Sequence, residues 1–417
     1  MPRIKEERML KRKRKAYVKI GISGILLMTV LIGFVIYINS IEFPIEETSV
    51  SALSSQPGFQ MHGVDEEVIP EVEELLDTIQ IVMVGDMLMH EPIIKSGLQA
   101  DGSYNFDHLF EHVKDTISEA DLAIANQETM MGGPSYGYTG YPSFNTPYAL
   151  ADAEAKAGFD VLLFATNHAM DKGSRAIFNC MDYMEANHPE MAYLGIHRSQ
   201  QAQNENIYTY EKNGIKIAIL NYTYGTNGIP LPEDMPYVVN LLNENQIRSD
   251  IRKAEEMADF TIVCPHWGTE YNLGISDDQK QWTKVFLEEG VDLVIGAHPH
   301  VIEPIEWVKD ENGHQMLVYY SLGNFVNGTS STGHGVTNRM VGGIADVVLE
   351  KNEDGTVEIK SYDAKEIVCH MGKETEYTVY YMEDYTEEMA SENLIVKQDE
   401  EFSKALCESI FAQVWGE

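Results

Sequence analysis

Cysteine is scarce in this chain: Cys180, Cys264, Cys369 and Cys407 are the four in 417 residues, and no two stand in a C-x-x-C pair. That spacing supports neither a zinc ribbon nor a redox motif. The chain is also far too large to need disulfide staples, so four buried free thiols are expected. Basic residues are scarce too, once the first 19 positions are passed. Nine of the 30 lysines and arginines fall between Arg3 and Lys19, beside only Glu6 and Glu7, which leaves 21 basic against 64 acidic residues and a net charge of −43 for the remainder. A surface this acidic repels nucleic acid and excludes it as a partner. It also disfavours any extended polyanion at long range, within the roughly 8–10 Å that screening allows at physiological salt. An anionic substrate therefore needs local cations or metal ions to hold it. No internal repeat is evident.

The 44% hydrophobic and 10% aromatic content is that of a globular chain with one large core or two smaller ones. One apolar run is exceptional. Ile20 to Ile38 carries no charge, and as a helix it spans about 28 Å, close to the roughly 30 Å hydrocarbon core of a bilayer. The basic cluster Lys11 to Lys15 before it predicts a cytoplasmic N-terminus, and Tyr37 stands where an interfacial aromatic is often found. The run is longer than the apolar region of a secretory signal, and Asn39-Ser40-Ile41-Glu42 makes a poor cleavage site. The expectation is a single-pass protein of the cell membrane. Residues 1–19 form a cytoplasmic basic segment, 20–38 a transmembrane helix and 39–77 an acidic extracellular tether with Pro44, Pro57, Pro70 and a glutamate run. The rest lies outside.

Between Ile79 and Asn324 short runs rich in Val, Ile, Leu and Ala keep stopping at a polar residue: IQIVMVGD at Asp86, DLAIANQE at Glu128, DVLLFATNH at Asn167 and His168, KIAILNY at Asn221, TIVCPHWG at His266, DLVIGAHPH at His298 and His300, and LVYYSLGN at Asn324. Near-continuous apolar runs of this length indicate strands buried on both faces, as in layered α/β folds. Helices lie between several of them. Thr146 before Pro147 reads as an N-cap with a first-turn proline, and Ser276 to Gln279 as a capping box for a helix that stops near Gly290. Ligands of such sheets bind beyond the carboxyl ends of the strands, so the polar endings predict one rim with many ligands. Any one ending, taken singly, is also what a strand-to-loop turn looks like.

The most specific element is Gly296-Ala297-His298-Pro299-His300. In an extended segment i and i+2 project to one side, and Pro299 biases His298 toward extension, so both imidazoles are expected to face one point. Asp86 and His90 share a face if a helix begins there, although a capping carboxylate and a core histidine look the same in sequence. Glu128 adds a second carboxylate, Asn167-His168 an amide and an imidazole, and His266 a further imidazole. Together these make a mixed nitrogen and oxygen set for two divalent ions, which suits Mn, Zn or Fe better than Ca or Mg.

The ordered series GDMLMH, NQE, ATNH, PHWGTEY, GAHPH and YSLGNF resembles that of the CapA family of capsule (poly-γ-glutamate) synthesis proteins, a branch of the calcineurin-like metallophosphoesterases. The resemblance covers roughly residues 78–350. It implies an α/β fold, a four-layer α/β/β/α sandwich over residues 78–371, with two metal ions at the strand ends. Carried over by position, it implies that Asp86, His90 and His300 hold one ion, that Asn167, His266 and His298 hold the other, and that Glu128 bridges them. His168 is the implied general acid beside the leaving group. The spacing D-x-x-x-H and a glutamate in the bridging position depart from the superfamily's usual D-x-H and GDxxD.

Asn145, Glu270 and Asn324 occupy motif-like positions near the rim and are candidate substrate contacts, although loop capping and packing suit them equally; Trp267 reads as a packing residue. Residues 372–417 read as an acidic extension with a helix bearing Phe402, Leu406, Ile410 and Val414 on one stripe. The function implied by the resemblance is synthesis, export or anchoring of capsule polymer by a dinuclear hydrolase that uses a metal-bridging hydroxide. Its implied partners are a polyanionic capsule polymer or its precursor, the membrane, and other membrane subunits of a synthase or exporter. A non-catalytic polymer-binding component with a metal-stabilised fold is the alternative.

Overall fold

The apolar runs become strands with both faces covered. The computed structural model describes residues 77–373 and 376–416. The basic segment 1–19, the apolar span 20–38 and residues 39–76 of the tether lie outside the described residues. Among the described residues no helix is long and apolar enough to cross a membrane.

In chain order the strands are β1 (Thr78–Leu88), β2 (Leu122–Asn126), β3 (Val161–Leu163), β4 (Ala192–Leu194), β5 (Tyr208–Lys212), β6 (Ile215–Thr223), β7 (Phe260–His266), β8 (Leu293–Ile295), β9 (Ile305–Lys309), β10 (Gln315–Tyr319), β11 (Asn324–Asn327), β12 (Val341–Lys351), β13 (Val357–Met371) and β14 (Tyr377–Tyr381). They form two sheets. The first runs β14-β13-β12-β1-β2-β3-β4, with β11 paired to the end of β1, and the second runs β5-β6-β7-β8-β10-β9. Strands β1 to β4 are parallel, and β12 to β14 extend that sheet antiparallel.

Strand alternation sorts the side chains into layers. Ile79, Ile81, Met83, Ile124 and Leu163 of the first sheet meet Ile217, Ile262, Leu293 and Leu317 of the second in one core. The opposite face of the first sheet, with Val82, Val84, Ala123 and Leu162, is covered by helices α1 (Glu91–Ser96), α2 (Lys114–Glu119), α3 (Ala149–Ala157) and α4 (Ser174–Asn187). Beyond the short α5 (Gln200–Glu205), helices α6 (Glu244–Met257) and α7 (Asp277–Glu289) cover Ala218, Val263, Val294 and Val318 on the outer face of the second sheet. The layers are α/β/β/α. Residues after Met371 supply β14, α8 (Glu387–Glu392) and α9 (Lys404–Val414), and Phe402, Cys407, Ile410 and Phe411 join the first outer core. All four cysteines are free and buried.

Some local expectations are met and others are not. The α7 capping box forms between Ser276 and Gln279, and Gly290 closes that helix at φ 97°. Thr146, by contrast, caps nothing. Helix α3 starts at Ala149 behind Tyr148, and the Thr146 hydroxyl is bonded to that of Thr129 at 2.8 Å. Asn221 lies inside β6, where it accepts from the Ala165 N–H and donates to the Cys264 carbonyl, so it stitches the fold rather than the rim. The run LVYYSLGN is two strands: β10 ends at Tyr319 and Asn324 opens β11 in the other sheet.

Candidate metal centre

Strand ends and the loops behind them bring the polar residues to one place. Asp86 sits near the end of β1, where the register shifts on both sides of it, against β2 between Val84 and Asp86 and against β11 between Asp86 and Met87. Such an irregularity turns a side chain out of the strict alternation. The Asp86 carboxylate accepts from the Asn126 amide at 2.7 Å and from the His298 backbone N–H at 3.2 and 3.3 Å, and it lies 3.0 Å from Nδ1 of His300. Glu128, two residues beyond β2, approaches Nε2 of His300 at 3.6 Å and Nε2 of His168 at 3.9 Å.

Asp86, Glu128 and His300 have ligand atoms within 4.8 Å of one another, and so do Glu270, His298 and His300. The two triads share His300. On the second sheet's side, Nε2 of His266 is 3.0 Å from the Asn167 amide oxygen, and the His266 and His298 rings are 4.8 Å apart between centroids. Asn126 joins the halves, because the amide nitrogen that donates to Asp86 also lies 3.4 Å from Nδ1 of His266.

The two histidines of the HPH segment converge, with ring centroids 5.8 Å apart, but not by extension. His298 has φ 104° and His300 φ 59°. Positive φ is rare for residues with a Cβ and costs of order 1–3 kcal/mol each, so the loop after β8 is bent against its local preference to aim both rings. The condition under which Asp86 and His90 would share a helical face is not met: β1 continues to Leu88 and His90 is the extended residue that precedes α1. His90 packs edge-on against Phe144 and shares a cavity of about 20 Å³ with Leu88, Tyr271, His300, Asn324, Asn327, Thr329 and Arg339.

Electrostatics separate the imidazoles. Burial, reinforced by neighbouring histidines, holds His266 and His298 well below the ordinary histidine value, and burial with His300 pushes His90 down to about 3. These are neutral rings with lone pairs to offer. Burial also disfavours protonation of His300, but the carboxylates of Glu128 and Asp86 outweigh it and raise that ring to about 9. Burial raises Glu128 well above the usual carboxylate range, against the pull of His300. Both Glu128 oxygens, Nδ1 of His298 and the amide nitrogen of Asn167 are buried without any hydrogen-bond partner. Buried polar atoms are almost always satisfied. Two carboxylates and several neutral imidazoles around a few orphaned lone pairs are a donor set that divalent cations fit.

His168 stands apart by its partner: Nδ1 contacts the Asp171 carboxylate at 2.8 Å, and Phe144 packs edge-on against the ring at 4.7 Å. Asp171, Asn126, Tyr224 and Arg339 were not singled out from sequence. Asp171 and Arg339 stand in no motif, whereas Asn126 heads the NQE triplet and Tyr224, its ring 4.6 Å from that of His298, directly follows β6. Asn324 accepts at 3.2 Å from Nδ1 of His300 and donates to the His300 and Arg339 carbonyls, which makes it a brace for the cluster. Glu270 is exposed at the cluster's edge. Asn145 accepts from the Gly132 N–H and donates to the Gly133 and Gly137 carbonyls, so its side chain shapes a loop. Trp267 is buried and donates to the Tyr320 carbonyl at 2.9 Å.

Residues 80–329 match the family described as Bacterial capsule synthesis protein PGA_cap. The PGA biosynthesis protein CapA of Bacillus subtilis (strain 168) is 28% identical over 305 residues, 70% of this chain and 73% of that protein. The capsule biosynthesis protein CapA of Bacillus anthracis is 27% identical over 271 residues, 63% of this chain and 62% of that one, less than two thirds of its length. Among solved structures, the NAD nucleotidase of Haemophilus influenzae has a TM-score of 0.43 at 11% identity, covering 81% of this chain and 59% of that one. A 5'-nucleotidase precursor from Thermus thermophilus has 0.41 at 12%, covering 81% and 58%.

Proposed function

This chain belongs to the family of bacterial capsule synthesis proteins, PGA_cap, and from that premise we propose that it is a metal-dependent hydrolase of capsule polymer metabolism, anchored by Ile20 to Ile38 and acting outside the membrane on a polyanionic polymer or its precursor. The observation that carries the reading is the pair of Glu128 oxygens, buried without a partner between His168 and His300 and beside the Asp86 carboxylate. Asp86, His90, Glu128 and His300 would hold one divalent ion, and Glu128, Asn167, His266 and His298 a second, with Glu270 at the edge. Bound there, such ions supply a charge that stabilises a developing oxyanion and acidifies a water.

The chain's own residues do the rest. Asp86 and Asn324 fix His300 through Nδ1 and leave Nε2 directed at Glu128. Asp171 holds Nδ1 of His168 in the same way, so Nε2 of His168 faces the cluster and can deliver a proton to a leaving oxygen or nitrogen. The rings of Phe144 and Tyr224 lie against His168 and His298.

The test is metal analysis of the purified chain with assays on a phosphodiester and on γ-glutamyl oligomers. His298→Ala and His300→Ala are expected to lose bound metal, and His168→Gln to keep it while turnover falls by about 10²–10⁴-fold. Full metal retention in both alanine variants defeats the ligand assignment. Stoichiometric metal with no turnover on either substrate leaves a polymer-binding component instead.

A further inference from the structure

We infer that Arg339 is the receptor for an oxyanion of the substrate other than the reacting group, a carboxylate or phosphate held beside His300. The inference rests on the functional reading above for the identity of the reacting centre, and on Arg339 itself for the rest. Of the five arginines among the described residues, Arg198, Arg248 and Arg252 are ion-paired to carboxylates and Arg175 is exposed. Arg339 is half-buried, and among the described residues no carboxylate pairs with it. Its guanidinium carbon lies 3.5 Å from the centroid of the Tyr271 ring, Nη1 donates to the exposed Ser331 hydroxyl at 3.2 Å, and Nε is buried with no partner at all. A guanidinium is built to grip an oxyanion through two parallel N–H bonds, and leaving one N–H buried and unmatched is costly unless something completes it.

Its placement makes the missing partner a ligand rather than a gap in packing. Asn324 and Asn327 both donate to the Arg339 backbone carbonyl, and the Asn324 side chain also touches Nδ1 of His300, so one amide ties the Arg339 main chain to the site imidazole, and both side chains line one cavity. Tyr271, on which the guanidinium lies, has φ 66° and is tied to Pro299 by a 2.7 Å backbone bond, between the two site histidines. The cavity shared by His90, His300, Asn324, Thr329 and Arg339 has about 20 Å³, the room of one oxygen atom. An oxyanion can seat one oxygen there and leave its remainder in the mouth. On a chain whose described part is strongly acidic, this unpaired cation is placed where an anionic substrate needs one.

The full chain in detergent, loaded with Mn²⁺, is titrated calorimetrically with a γ-glutamyl oligomer, with the same oligomer methyl-esterified to remove its charge, and with inorganic phosphate. Arg339→Gln is expected to weaken the acidic oligomer by about 10–100-fold, to leave the esterified one unchanged, and to keep its full metal content, with Arg339→Lys intermediate. Loss confined to inorganic phosphate identifies a phosphoryl group as the bound anion. Binding of both anions within twofold of the parent chain overturns the inference, as does failure of the parent chain to bind either. Arg339-dependent binding in a chain that shows neither metal nor turnover sinks the hydrolase reading alone.

Discussion

Asp171 shares its carboxylate between two tasks, accepting the Phe144 backbone N–H at 2.7 Å and contacting Nδ1 of His168 at 2.8 Å with the same oxygen. It therefore fixes both the imidazole and the aromatic ring that packs on it. Asp171→Asn keeps the shape but replaces the charge by an amide that can present either oxygen or hydrogen to Nδ1. A fall in kcat of about 10²-fold or more is expected, with KM and metal content unchanged; an equal loss of metal would mean that Asp171 only supports the loop. A second buried carboxyl, Glu303, has one oxygen bonded to the Gln279 amide and the other unpartnered. Burial pushes it up to about 8, against the opposing amide. Unfolded, the same group titrates near 4.5, so the folded chain keeps a proton that the unfolded chain has lost. The stability this contributes is complete below about pH 4.5 and is lost as pH rises to about 8. Glu303→Gln is expected to match the parent at pH 4.5 and to gain about 1–3 kcal/mol on it by pH 8.5, read as melting temperature; parallel melting curves across that range contradict it. At this scale the histidines were legible because two of them flank a proline, whereas Asp171 and Arg339 are single residues whose partners are far away in sequence.

Elements set how accurately those residues meet. Gly85 precedes Asp86 in β1, and a Cβ built on it would stand 2.0 Å from the Gly323 carbonyl oxygen, the group that accepts the Asp86 N–H at 2.9 Å. Backbone against backbone cannot yield as a side-chain tip can. The same approach pairs Asp86 with Asn324 across β1 and β11, and so sets Asp86 and Asn324 on either side of His300. Gly85→Ala is expected to separate the two strands, to cost about 1–3 kcal/mol or more, and to lower metal content as well as melting temperature. A destabilised variant with undiminished metal would show that the two carboxylate-side anchors move together. The strands of the first half of the chain were legible from apolar runs, because parallel strands buried on both faces admit little else. Asn324 reads in sequence as the end of β10 because nothing in LVYYSLGN marks the four-residue crossing between sheets; Gly323, with φ 67°, is where the chain turns. The HPH segment reads in sequence as extended since proline favours extension in the residue before it, yet His298 adopts positive φ, a case where the site's geometry overrides the local preference.

For the whole molecule, the proposed polyanionic substrate makes net charge the quantity that governs its arrival. Beyond residue 19 the chain carries −43, and the layers gather the attracting groups, Arg339 and the ligand cluster with any cations it holds, at one rim. Repulsion from the whole surface acts over a Debye length, whereas the rim acts at contact. Between about 10 mM and 150 mM salt that length shrinks from roughly 30 to 8 Å. The repulsion is then screened during approach, while contacts inside a half-buried cavity keep most of their strength. Association of a fluorescent γ-glutamyl oligomer with the metal-loaded full chain is therefore expected to speed up with added salt, by up to about tenfold, with dissociation little changed. That is the opposite sign to a protein that captures a polyanion on a basic face, where salt weakens binding through counterion release. The methyl-esterified oligomer, carrying no charge, should associate at a rate that salt does not alter. An association rate that falls with salt for the acidic oligomer would require a cationic approach path, and the acidic surface would then not govern the encounter.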